Sequence, residues 1–304
     1  MNSLEMKHLF YKFNTLKLFR TGSMCAALIL LCAASPVPEK ASDPFPSLEE
    51  SIKIALKHYS SSSDGKQDGA VSVDLVYKVR DYYYQLQSKN EQLSIAKEVQ
   101  GHFEKAVRKA SEKFDEGEED ISQSDITKLK LGLTGTRNDV ITLNSEIRQA
   151  SLSLNDLLGA KLDANRPLQQ ASSIKAVVFP HTTMAEYVGS VVLSIKGGCL
   201  TESNCSADFA KKNALELEKS FIRVLEAKER LKLAKNSRKI SRTLLVTEAA
   251  NYDFGIGDTA ELFQALIIYT RVLNGYYESI YQFNLAVAEL DRLATKSISF
   301  NKSN

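Results

Sequence analysis

The sequence predicts an all-α protein built from two tandem, long antiparallel coiled-coil hairpins with little or no β-barrel, and three observations predict it. Turn formers are scarce, with 14 glycines, 6 prolines and no tryptophan in 304 residues, a composition that suits long uninterrupted helices. The chain matches itself along its length, with Gly117 falling on Gly255 and Phe114-Asp115 on Tyr252-Asp253. Its last long arm carries apolar residues in an unbroken 4,3 alternation, the seam of a left-handed coiled coil.

The N-terminus has the order of a secretory signal peptide. Lys12, Lys17 and Arg20 precede an apolar run, MCAALILLCAA at 24–34, which ends at Ser35-Pro36-Val37-Pro38. That run is shorter than the roughly 20 residues a spanning helix needs, so residues 1–34 are expected to be a cleaved signal and 35–46 a linker. Translation from Met6 is compatible with the same reading, whereas Leu31 before Cys32 fits a lipoprotein site poorly. The expected address is the cell envelope, outer membrane or periplasm. Cys199 and Cys205 then remain in KGGCLTESNCSAD. In an oxidising compartment they are expected to form a local disulfide, and with no histidine beside them a zinc site lacks its other ligands.

The repeat divides the rest into 47–168 and 169–304. Each unit reads as a short amphipathic helix, a polar linker, a long helix, a glycine turn and a returning long helix. The expected spans are 47–59, 73–115 and 124–158 in the first unit, with the linker at 60–69. In the second they are 183–195, 209–252 and 259–295, with the linker at 196–208. Leu93, Ala96 and Lys97 meet Leu231, Ala234 and Lys235, and Val79, Tyr83, Leu86 and Val107 meet Leu217, Phe221, Val224 and Leu245. Past the glycine the offset shortens by two, because FDEGEEDISQSDI is two residues longer than YDFGIGDTAEL. Short extended pieces are expected at most at 174–179 and 297–300.

The returning arm of the second unit places Leu262, Leu266, Tyr269, Leu273, Tyr276, Ile280, Phe283, Val287 and Leu290 on one seam, and Ile126, Leu133, Val140, Ile147 and Leu154 form the matching column of the first. Phe263, Ile267, Ile268, Tyr277 and Tyr281 widen the apolar stripe beyond what an isolated hairpin buries.

Around Tyr252-Asp253-Phe254-Gly255-Ile256-Gly257-Asp258-Thr259-Ala260-Glu261-Leu262, and again at Tyr281-Gln282-Phe283-Asn284-Leu285-Ala286 and Leu154-Asn155-Asp156-Leu157-Leu158-Gly159, the chain resembles TolC-type outer-membrane efflux proteins. The resemblance covers about 81–159 and 207–294. It implies a homotrimeric helical conduit whose tips dock the periplasmic adaptor of an inner-membrane pump. It also implies two spanning strands per unit, and linkers 60–69 and 196–208 fall short of the roughly 25 to 40 residues that a spanning hairpin with its loop needs.

By resemblance, Gly117 and Gly255 mark the docking tips. Tyr252 and Glu261 take places in the network that narrows the periplasmic entrance, with Asp125 as the displaced counterpart in the first unit. The network is incomplete, since Gln264 and Gly257 stand where a second acid and a base belong. Each residue also has a local reading. The glycines serve left-handed turns, Glu261 is a favourable first-turn acid, and Glu118, Glu119 and Asp120 make a solvated loop. The basic run 228–242, KERLKLAKNSRKISR, is an exposed helical face or a surface for an acidic partner or anionic lipid.

A formal net charge of +2 gives no reason to expect nucleic acid. No nucleophile motif, phosphate loop or metal-binding spacing accompanies His58, His102 and His181, so neither an enzyme nor a cofactor is expected. Two readings remain, a TolC-like efflux conduit and a non-conducting periplasmic coiled-coil structural or adaptor module.

Overall fold

The computed structural model describes residues 46–62, 69–117, 121–160, 173–194 and 207–299, all within one unit, Pro44–Asn304. The helices are α1 (Leu48–Ser62), α2 (Gly69–Asp115), α3 (Gln123–Leu157), α4 (Met184–Ser194), α5 (Ala207–Phe254) and α6 (Thr259–Ser299). The short–long–long order occurs twice, and among the described residues there is no strand. The signal segment, Cys199 and Cys205, and most of both linkers lie outside the described residues.

The heptad columns are the core. Ile126, Leu133, Ile147 and Leu154 are buried on α3, as are Leu262, Leu266, Tyr269, Leu273, Ile280, Phe283 and Leu290 on α6. Val140, Tyr276 and Val287 are partly covered and pack against the same clusters. Three apolar clusters follow one another along the helices. One lies near the turns around Phe103, Leu129 and Leu266, one at mid-length around Leu86, Ile147 and Ile280, and one at the far end around Phe221, Val224 and Leu290.

The long helices pack as a layer rather than a closed bundle. α3 lies on α2, α2 on α6 and α6 on α5, α3 touches α6 slightly, and α3 and α5 share no extended contact. The middle seam, α2 against α6, joins the two hairpins and is rich in phenol–carboxylate bonds. Tyr269 Oη donates to Glu98 (3.1 Å) and Tyr281 Oη to Asp81 (2.6 Å). Burial first, then the neighbouring carboxylates, push these phenols above the ordinary tyrosine value, and Tyr277 is pushed up to about 12.

The two expected extended pieces have different outcomes. Residues 174–179 run without regular structure, held by Asn284, whose Oδ1 accepts from the Val177 amide (2.9 Å) and whose Nδ2 donates to the Lys175 carbonyl (2.8 Å). At 297–299 there is no extended piece, because α6 continues to Ser299. The basic run on α5 is only partly a free face: Lys228 donates to the Phe179 carbonyl (3.0 Å) and Arg238 lies 4.8 Å from the Tyr276 ring centroid.

Candidate functional site: the hairpin tips

Each hairpin reverses at a glycine in the left-handed region, Gly117 with φ 81° and Gly255 with φ 75°. A side chain there would strain the turn although neither site is sterically crowded. The first turn closes with Gly117 N–H donating to the Phe114 carbonyl (3.1 Å). The second closes more fully, with Gly255 N–H on the Tyr252 carbonyl (3.2 Å) and the Ile256 and Gly257 amides both on Asn251 (3.0 and 3.1 Å), a pattern that satisfies the last carbonyls of a helix.

The returning helices start differently. At α3, Ser122 and Asp125 form a reciprocal capping box. Asp125 N–H donates to Ser122 Oγ (3.2 Å), while Asp125 Oδ2 accepts from Ser122 N–H (3.2 Å) and Oγ (2.6 Å). Lys128 sits 3.2 Å from Asp125 Oδ1. The Ser122 hydroxyl foremost, with Lys128 and the Ser122 amide, holds the Asp125 carboxyl below its usual value. At α6, Asp258 Oδ1 accepts the Glu261 amide (2.7 Å), but Glu261 is exposed and its carboxylate has no bond to any described residue. Of the two acids, Asp125 is committed to its own helix and Glu261 is available.

Tyr252 is buried and reaches across the layer, its hydroxyl donating to the Ala106 carbonyl of α2 (3.3 Å). Burial raises its pKa. Two lysines on α2, one turn apart, hold the end of α5. Lys109 Nζ donates to the carbonyls of Tyr252 and Asp253 (both 2.8 Å) and lies 5.0 Å from the Tyr252 ring centroid, while Lys105 Nζ pairs with Asp253 Oδ2 (2.6 Å). An ammonium on the last carbonyls of a helix satisfies orphan acceptors and opposes the negative end of the dipole. Beside this clamp the tip presents apolar side chains to solvent: Phe254 is 81% exposed and Ile256 79%.

The structure thus brings Tyr252, Gly255 and Glu261 together at one turn and gives Asp125 a capping role at the other. Sequence reading missed Lys105 and Lys109, whose spacing looks like an ordinary solvated face. It also missed Ser122, although Ser-x-x-Asp before an apolar run is a capping signal.

No protein-family model matches the chain, nor does any curated protein. Solved structures do. The outer-membrane channel OprN matches with a TM-score of 0.55 at 14% identity, over 82% of this chain and 70% of its own. The outer membrane protein VceC of Vibrio cholerae matches with a TM-score of 0.55 at 10% identity, over 81% and 74%. The CmeC outer membrane channel of Campylobacter jejuni matches with 0.53 at 12%, over 83% and 67%. At such identities the likeness is one of architecture, and the paired hairpins have the TolC-like helical fold.

Proposed function

We propose that the chain is a TolC-like component of the cell envelope whose copies close, as a homotrimer, into a helical conduit, with tips that dock the periplasmic adaptor of an inner-membrane pump. The observation that carries this reading is the chemistry of the two edge helices. Leu131 and Ile141 on α3, and Leu215, Ile222, Leu233, Ile240 and Val246 on α5, are each more than half exposed. The repeat mates of five of them belong to the covered part of the molecule, whereas Ile240 and Val246 stand where α2 carries His102 and Arg108. Leu131 and Ile141 correspond to Ile267 and Tyr277 of α6, and Leu215, Ile222 and Leu233 to Tyr77, Tyr84 and Ile95 of α2. Ile267 packs against the cluster near the turns, Tyr277 against that cluster and the mid-length one, and Tyr84 and Ile95 are buried. If the duplicated units are related by the same packing, α5 of one copy meets α3 of the next as α2 meets α6 within the chain. Counted from their turns, Leu131 then lies level with Ile240 and Ile141 with Leu233.

Sedimentation equilibrium of the mature protein at micromolar concentration tests the assembly. A trimer that becomes monomeric with unchanged helicity on Ile240→Glu supports it, and a monomeric parent protein sinks it. Step conductance in planar bilayers separates the conduit from the second reading, a non-conducting periplasmic module. That second reading is favoured by the short linkers. The exported leader 1–34, the division at 168/169 and the Cys199–Cys205 bridge belong to the same proposal. Mass spectrometry of mature protein with both thiols alkylatable would remove the bridge.

A further inference from the structure

Far from the tips, α1, α2, the 173–181 segment, α4 and α6 enclose a cleft of about 540 Å³, a size typical of small-ligand sites. Its lining residues on α6, 287–295, lie roughly 50 to 60 Å along the helix from Gly255 at 1.5 Å per residue. The efflux reading makes no use of it.

The walls are aliphatic: Val73 and Val76 from α2, Val191 from α4 and Val287 from α6. Val178 stands at the lip, 90% exposed. The rest of the lining is largely polar, and Arg80 and Tyr187 converge there on Asp291. Asp291 is already occupied on both oxygens, accepting from Arg80 Nη1 at Oδ2 (3.1 Å) and from Tyr187 Oη at Oδ1 (3.2 Å). Arg292 is engaged by Glu289 and Asp74. Arg80 makes that one bond among the described residues and so lines the cleft with most of its five N–H donors uncommitted. His181 also lines it, packed edge-on against Phe179 and Tyr187. The cleft therefore offers an aliphatic trough beside an underused guanidinium, and its carboxylate is spent, which disfavours a cation. We propose that it binds a single acyl chain ending in an anionic head, carboxylate or phosphate, with Arg80 receiving the head and the valine walls the chain. Arginine suits such a head because its planar fork matches two oxygens at once. The amphiphile can be free in solution or belong to a membrane lipid.

The absence of tryptophan permits a clean reporter, Val178→Trp. Titrating that protein with sodium dodecanoate below its micelle concentration is expected to give a saturable fluorescence change, with none from inorganic phosphate and little from neutral dodecyl maltoside. Arg80→Gln in the same background is expected to weaken binding roughly tenfold or more, the loss expected for a charge-assisted bond, with Arg80→Lys in between. Because Arg80→Gln also unpairs Asp291, Val178→Asp supplies a second variant at an exposed position, read by calorimetry against the parent chain. It too is expected to weaken dodecanoate binding. Flotation with phosphatidylglycerol but not phosphatidylcholine vesicles, lost in Val178→Asp, assigns the amphiphile to the membrane. Dodecanoate binding without flotation assigns it to free solution. No saturable dodecanoate binding, equal binding of dodecyl maltoside, or affinity unchanged in both Arg80→Gln and Val178→Asp overturns the proposal.

Discussion

The two hairpin tips descend from one repeated segment and reverse at equivalent glycines, yet they are held by different means. At the second, Tyr252 is 6% exposed under the Lys105 and Lys109 clamp, whereas its repeat mate Phe114 is 41% exposed. The positions that correspond to the two lysines on α5 are Thr243 and Thr247, too short to reach a neighbouring helix end. The first tip relies instead on its own capping box. A turn's conformation thus follows from its local sequence, but whether the turn is fastened depends on which helix lies alongside and what that helix carries.

The largest break in this contrast is Tyr252→Ala, which removes a buried ring and its cross-helix bond. It should cost about 3 kcal/mol and speed amide exchange in 245–262 more than in 105–126. Lys109→Met keeps the length and removes the ammonium, and a loss of about 1 to 2 kcal/mol is expected from two charged hydrogen bonds to carbonyls that stay partly covered. Chemical denaturation should show it, and equal losses for Lys109→Met and for a control at exposed Lys235 would mean that no clamp exists. At the first tip, Ser122→Ala should cost about 1 kcal/mol, confined to exchange at the start of α3. The smallest effect is expected from Glu261→Lys, whose carboxylate has no bond among the described residues: about 0.3 to 1 kcal/mol at an exposed first turn. If that variant melts nearly as the parent and still loses adaptor crosslinking or efflux, the acid works in docking, and unchanged crosslinking and efflux reduce it to a helix-start residue.

Acidity should also separate the tips. Asp125 has a lowered pKa, so its contribution is complete above the ordinary aspartate value and is lost as pH falls through the folded one. Tyr252 has a raised pKa, so its contribution is complete below the ordinary phenol value and is lost as pH rises through the folded one. Amide exchange followed against pH should loosen the first tip in acid and the second in alkali, and simultaneous loosening of both would contradict this assignment.

Most of the fold was legible because one signal dominates long helices. The heptad columns and glycine turns set α3 and α6 to within a few residues, and the columns became the core. The extended piece failed at 297–299 because Ser-Ile-Ser does not outweigh a helix already propagating into these residues, and Phe300 lies outside the described residues. Asn284, noted only as part of a resemblance, proved to be the residue that holds 174–179 in place. Its two bonds join segments more than 100 residues apart, and no local pattern announces such a pairing. The lysine clamp was hidden for the same reason. Capping residues could have been read locally, and Ser122 shows that the signal was present.

The phenol–carboxylate seam between α2 and α6 has a further consequence. Its two faces are tethered in one polypeptide, so they meet at a high effective concentration however dilute the protein is. A tethered junction can rely on directional polar bonds that contribute little net free energy each. The outer faces of α3 and α5 have no such mate among the described residues, and a mate on another copy would have to be found by diffusion. Their aliphatic side chains, with Leu215, Ile222 and Ile141 standing where α2 and α6 carry Tyr77, Tyr84 and Tyr277, give a contact that gains from water release. Duplication followed by this divergence would let one ancestral surface become a permanent internal weld on one side and a concentration-dependent latch on the other.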